Sequence, residues 1–171
     1  VQSIHEKGLI WRDLHANNII INYNNDAILI DFDKVIEWND QQSRDFALIR
    51  APEAELGANL TDKTDIFSLG YIMYRTLFDE FPKTKSHQEN SNTEIIYDLT
   101  RLSGDSETKR LFEKCFFKIP AKRCDINQLI SILHFLLGVK YEVGKYVSRD
   151  MKKAIHYYSL AANQNHPQYN L

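Results

Sequence analysis

The spacing of apolar residues changes at Pro52, and that change limits the fold more than any other feature of the chain. Before it, three short apolar runs, Gly8 to Ile10, Ile19 to Ile21 and Ala27 to Ile30, are separated by polar or Asn-rich turns. Runs of that length between turn residues predict short strands bracketing a loop. After it, apolar residues recur at helical spacing from Ile66 to Leu77, Ile95 to Leu102, Leu111 to Phe117 and Ile126 to Leu137. Asp65, Asp105 and Asp125 stand where helix N-caps belong. The polar stretch from Phe78 to Asn92, with Pro82, Lys83, Lys85, His87 and Glu89, reads as a surface loop. The expectation is a mainly α fold with a small β element.

A chain of 171 residues with 43% apolar content can bury a core for one domain, or for a small domain with an appendage. Its net charge of -2 gives no electrostatic reason to expect nucleic acid or an anionic membrane as partner. No apolar run approaches the roughly 18 residues that span a bilayer, and the first residues lack a basic region followed by an apolar stretch. A cytoplasmic protein is expected. Two cysteines, Cys115 and Cys124, make neither a disulfide framework nor a metal cluster and read as buried free thiols.

The chemistry lies in the segment Trp11-Arg12-Asp13-Leu14-His15-Ala16-Asn17-Asn18, where an Asp stands five residues before an Asn on a loop between two short strands. Thirteen residues after Asn18, an apolar strand ends in Asp31-Phe32-Asp33. Ala51-Pro52-Glu53 follows, with Glu53 twenty-two residues after Asp31, then Asp65-Ile66-Phe67-Ser68-Leu69-Gly70, and later Pro120-Ala121-Lys122-Arg123. Taken in this order the five elements resemble the large, C-terminal lobe of a eukaryotic-type protein kinase. The resemblance implies the H-R-D-x-x-x-x-N loop, D-F-G, A-P-E, and the start of the lobe's central helix. It implies ATP and magnesium as cofactors and a protein substrate. Asp13 would accept the substrate hydroxyl proton, Asn18 and Asp31 would hold Mg2+, Asp65 would brace the catalytic loop, and Glu53 would pair with Arg123.

Several positions depart from the family pattern. Trp11 stands in place of the His before R-D, so an indole replaces a contact to the D-F-G backbone. His15 occupies the position of a Lys that contacts the transferred phosphate, and an imidazole is only partly charged near neutral pH. Asp33 replaces the Gly of D-F-G, where a positive φ is expected and Asp tolerates it better than most residues. Phe46 stands where a hydroxyl residue usually helps position the substrate, and Ser43 is a candidate phosphorylation site with Arg12 as its pairing cation. No Gly-rich loop, strand Lys or helical Glu of a small lobe is present, so the chain reads as a truncated kinase that binds ATP poorly by itself.

Residues 137–171 resemble one Sel1-like repeat of the tetratricopeptide type and the start of a second at Tyr169-Asn170-Leu171. Gly144 is expected in the turn and Asp150 at the start of a second helix to about Asn163, with Ala154, Tyr158, Ala161 and Ala162 inward. The helix from Ile126 to Lys140 would serve both parts. The expected organisation is a kinase large lobe over residues 1–136 and an α-hairpin repeat over 137–171. The expected function is ATP-dependent phosphoryl transfer to Ser or Thr of proteins, with Tyr left open, and recruitment of protein partners by the repeat. The alternative is a pseudokinase scaffold, which Trp11, His15, Asp33 and Phe46 favour, or a truncated product without stable activity.

Overall fold

The computed structural model describes residues 1–38, 49, 51–55, 59–83, 95, 97–144 and 147–163. Ser43, Phe46, most of the expected 78–92 loop and Tyr169 to Leu171 lie outside the described residues.

The described chain is mostly helical with two small antiparallel sheets. A one-turn helix α1 (Gln2–His5) leads through Gly8, at φ 72°, into strand β1 (Leu9–Ile10). The loop Trp11 to Asn18 ends in a 3-10 turn and runs straight into β2 (Ile19–Ile21). β2 pairs with β3 (Ala27–Leu29) through an Asn-rich hairpin, in which the Asn22 side chain accepts the amides of Asn24 and Asp26 at 2.9 Å each. Sequence reasoning missed β4 (Ile36–Glu37), whose two residues pair with β1 in the register Ile10 to Ile36 and Leu9 to Glu37. A two-residue strand carries almost no periodic signal, so only the pairing reveals it.

Helices follow: α2 (Pro52–Glu55), α3 (Asp62–Phe78), α4 (Ser106–Cys115), α5 (Ile126–Val143) and α6 (Met151–Asn163). Asp105 and Asp125 cap α4 and α5 as expected, accepting the amides of Thr108 at 3.0 Å and Gln128 at 2.8 Å. Asp65 does not cap α3. The helix begins earlier because Thr61 and Thr64 form a reciprocal capping box, which leaves Asp65 in the first turn with its carboxylate available for other partners. The helix expected from Ile95 to Leu102 is also corrected. Only Thr100–Leu102 forms a 3-10 turn, and Ile95 bridges to Phe117 instead, so the apolar spacing there reflects packing onto the core rather than a helical face.

The core is the junction of α3, α4 and α5. Ile66, Phe67 and Tyr74 meet Leu111, Phe112, Cys115 and Phe116, and Leu129, Ile132 and Leu136 close the far side. Phe67, Tyr97, Phe112 and Phe116 form a chain of ring contacts with centroids 4.7 to 5.8 Å apart. A Cβ on Gly70 would stand 2.5 Å from the Cβ of Cys115, so the absence of a side chain there lets α3 and α4 approach. Both cysteines are buried free thiols.

α5 runs unbroken across residues 136 and 137 to Gly144, whose φ of 78° ends it. α6 then folds back antiparallel: Asp150 donates its amide to Tyr141 O near the turn, and Ser131 Oγ donates to Ala161 O at the open end, both at 2.9 Å. Ala154 and Ala161 are buried in the seam, and the Tyr158 ring lies over Gly138.

Candidate active site

The loop carrying Asp13 is held by groups remote in sequence. Asp65 is wholly buried at the start of α3, and its two carboxylate oxygens accept the backbone amides of Trp11 at 2.7 Å and Arg12 at 2.8 Å. The His5 ring nitrogen Nε2 lies 2.8 Å from the same carboxylate. Each hydrogen bond to a charged acceptor is worth about 1.5–3 kcal/mol, so this one side chain offsets the strain of Arg12, whose φ is 71°. Asp65 therefore fixes the backbone immediately before Asp13, the bracing role that the resemblance implies.

From the other side, Asn18 Nδ2 donates to Asp13 O at 3.0 Å, and Asn18 O accepts the amide of Ile30 at 3.0 Å. The second bond ties the end of the loop to the residue before Asp31. Asp13 and Asn18 are both buried, whereas Asp31 is exposed and adopts φ 69°. The positive φ expected at Asp33 is found at Asp31 instead. The four sequence-predicted residues Asp13, His15, Asn18 and Asp31 all fall on this loop and the strand end tied to it.

The indole of Trp11 is buried and meets the Phe32 ring with centroids 4.5 Å apart at 58°. Where the family has a polar contact to the D-F-G backbone, this chain has an aromatic one to the Phe side chain. Trp11 Nε1 is buried without a hydrogen-bond partner, which is unusual for an indole N–H and a cost of this packing.

Asp13 faces two basic groups on one oxygen. Lys34 Nζ lies 2.9 Å from Oδ2 and His15 Nε2 lies 3.6 Å from it. Sequence reasoning found His15 and missed Lys34. Nothing in the spacing singles out a Lys three residues after Asp31, which lies two residues before β4 in the segment that returns to β1.

Magnesium prefers hard oxygen ligands and is commonly held by one or two carboxylates with substrate phosphates and water. Among the described residues no group of three or more His, Cys, Asp or Glu gathers as a metal cluster. The set needed here is smaller: the Asp31 carboxylate is exposed, and the Asn18 side chain donates its Nδ2 to Asp13 O, so its carbonyl oxygen is the atom that would serve as a metal ligand. These residues fit a magnesium ion carried in with phosphate.

Below the loop, Glu53 and Arg123 form a buried two-pronged pair, Nη1 to Oε1 at 2.7 Å and Nη2 to Oε2 at 2.8 Å. Arg123 also donates to Phe117 O at 2.8 Å and Lys63 O at 2.9 Å, and Thr64 Oγ1 donates to Glu53 at 3.1 Å. The pair expected from sequence is present, and it joins α2 to the turn before α5.

A protein kinase domain model matches residues 1–135. The chain is similar to protein kinase C delta type of Homo sapiens, 26% identical over 82% of this chain and 22% of the relative. It is similar also to the serine/threonine-protein kinase ppk34 of Schizosaccharomyces pombe, 30% identical over 76% of this chain and 39% of the relative. A probable serine/threonine-protein kinase of Dictyostelium discoideum, mkcF, is 25% identical over 76% of this chain and 20% of its own length. The chain thus spans between about a fifth and two fifths of these curated relatives. With the family model covering most of the chain, and the braced Asp13 loop in place, this chain belongs to the protein kinase domain family.

Proposed function

We propose that residues 1–136 are the large lobe of a kinase that transfers the terminal phosphoryl group of ATP to Ser or Thr of protein substrates in the cytoplasm. The observation that carries this reading is the double support of the loop. Asp65 holds the backbone amides ahead of Asp13, and Asn18 holds the Asp13 carbonyl and the amide of Ile30, the residue before Asp31. Phosphoryl transfer asks the protein mainly for positioning and charge neutralisation, and a buried carboxylate on a fixed loop supplies the first. Asp13 accepts the hydroxyl proton of the substrate. Asn18 and Asp31 present oxygens to Mg2+, which when bound with the nucleotide neutralises phosphate charge. His15 contacts the phosphoryl group, a role supported by its half-buried position with Nε2 3.6 Å from Asp13 Oδ2. The match to relatives named as serine/threonine kinases supports Ser or Thr over Tyr as the acceptor.

Residues 137–171 we assign to a Sel1-like repeat that binds protein partners. Support comes from the antiparallel packing of α5 on α6, with Ala154 and Ala161 buried and Gly138 admitting the Tyr158 ring. Helix α5 serves both parts. The phosphorylation proposed for Ser43 would place a phosphate for Arg12 to pair with.

The test is Mg2+-dependent phosphate transfer from ATP to a generic protein substrate, measured on the longest natural polypeptide that contains this chain. Transfer abolished by Asp13→Asn establishes the kinase. A folded protein without transfer refutes it and favours the scaffold reading.

A further inference from the structure

The position that holds a phosphate-contacting Lys in the family pattern holds His15 here, yet an ammonium still reaches the base, from a different segment. We propose that Lys34 is a catalytic residue of this site: it supplies an ammonium beside Asp13 where position 15 offers an imidazole, and it contacts the phosphoryl group during transfer. This assignment rests on the kinase reading given above.

Three observations converge on Lys34. Its Nζ lies 2.9 Å from Asp13 Oδ2, the same oxygen that His15 approaches at 3.6 Å, so the two basic groups border one small volume at the carboxylate. Its side chain keeps about a third of its surface open, while that of Asp13 is nearly closed. Its backbone is fixed rather than loose, because Val35 N donates to Phe32 O at 3.1 Å and the next residue, Ile36, pairs with Ile10 of β1. A cation already held beside the base is close to where charge develops on the phosphoryl oxygens, and stabilising that charge lowers the barrier. Lys suits the role as a compact point charge on a flexible stem that can swing from carboxylate to phosphate over a short distance.

In the step itself the substrate hydroxyl oxygen forms a bond to the γ-phosphorus of ATP. The bond from that phosphorus to the bridging oxygen breaks, and ADP leaves with the electron pair. The hydroxyl proton passes to Asp13. Lys34 stays protonated throughout, moving from Asp13 Oδ2 toward the equatorial phosphoryl oxygens as the carboxylate takes up the proton and needs its counter-charge less.

The experiment compares steady-state phosphate transfer from ATP by the longest natural polypeptide containing this chain, as wild type, Lys34→Met, Lys34→Arg, His15→Lys and the double variant His15→Lys with Lys34→Met. Circular dichroism confirms that each is folded. Lys34→Met is expected to lower kcat by about 100-fold with KM for the protein substrate little changed, the scale seen when one charge-stabilising donor is removed. Lys34→Arg keeps the charge and should retain most of the rate. The double variant, which moves the ammonium to position 15, should recover at least tenfold over Lys34→Met. That recovery is the readout a purely structural Lys34 would not give. A folded Lys34→Met with kcat within about twofold of wild type overturns the assignment, as does a loss confined to KM or a double variant no better than Lys34→Met. A folded wild type without transfer brings down the kinase reading and this assignment with it, an outcome distinct from an active wild type insensitive to Lys34.

Discussion

Replacing Arg123 by Met tests how the lower half of the site is held to the helices. In the native chain the guanidinium is nearly inaccessible, with both prongs on Glu53 and two further bonds to the carbonyls of Phe117 and Lys63. Its face also lies 5.0 Å from the Phe67 ring centroid. Arg123→Met keeps much of the volume but leaves the Glu53 carboxylate buried with Thr64 as the neighbour still bonding to it, and leaves two carbonyls without this donor. Breaking a buried pair by removing one partner costs about 3–5 kcal/mol. The two lost carbonyl contacts put the variant at the upper end of that range. With a urea m-value of about 2 kcal/mol/M for a chain of this size, the unfolding midpoint should fall by roughly 1.5–2.5 M. Against a total stability of about 5–15 kcal/mol, the change removes a large share of it. The assay is urea unfolding followed by far-UV circular dichroism, repeated with Arg123→Met combined with Glu53→Met. The double variant should recover part of the loss, because the stranded carboxylate is gone while the two carbonyls remain without the guanidinium. A midpoint shift below about 0.5 M for Arg123→Met corresponds to the 0–1 kcal/mol of a solvated surface pair, and would refute the account of a buried clamp.

The α5–α6 hairpin gives two further predictions. A Cβ added at Gly138 would lie 2.5 Å from carbons of the Tyr158 ring, which is held in place by Phe135 and by its hydroxyl on Glu142, so Gly138→Ala should destabilise the chain by about 1–3 kcal/mol, read as a lowered melting temperature; an unchanged value would show that the seam is loose. Burial, together with the Glu142 carboxylate 2.5 Å away, raises the Tyr158 hydroxyl from 10.0 to about 12, so the neutral phenol is the form the fold favours. Its contribution is complete below pH 10 and is lost as pH climbs from there through about 12. Melting temperatures measured from pH 9 to 12 should therefore fall more steeply for the wild type than for Tyr158→Phe, and parallel curves would contradict the assignment.

Much of this arrangement was legible in the sequence because it depends on local chemistry. Strand-length apolar runs with Asn-rich turns gave β1, β2 and β3; an Asp ahead of a helical pattern gave the caps of α4 and α5. The order of Asp13, Asn18, Asp31, Glu53, Asp65 and Arg123 along the chain was enough to anticipate the Glu53 to Arg123 pair and the bracing by Asp65. Gly144 and Asp150 likewise marked the turn of the last hairpin, because a left-handed C-cap and an amide-accepting Asp are local signatures.

What the sequence could not supply were the facts that depend on distance between remote segments. Thr61 rather than Asp65 starts α3, since the fold needs the Asp65 carboxylate for two amides more than fifty residues upstream and a Thr box that begins four residues earlier can close the helix end instead. The stretch from Ile95 has helical spacing yet forms a bridge to Phe117, since burial of its apolar side chains against α3 and α4 outweighs a weak local preference. Lys34 meets Asp13 from twenty-one residues away, a contact that no property of the intervening residues announces. Local propensity and motif order set which groups this protein has for its chemistry. Tertiary packing alone decided which of them stand within a hydrogen bond of one another, because a pairing between distant segments is stabilised by contacts that exist only once both are in place.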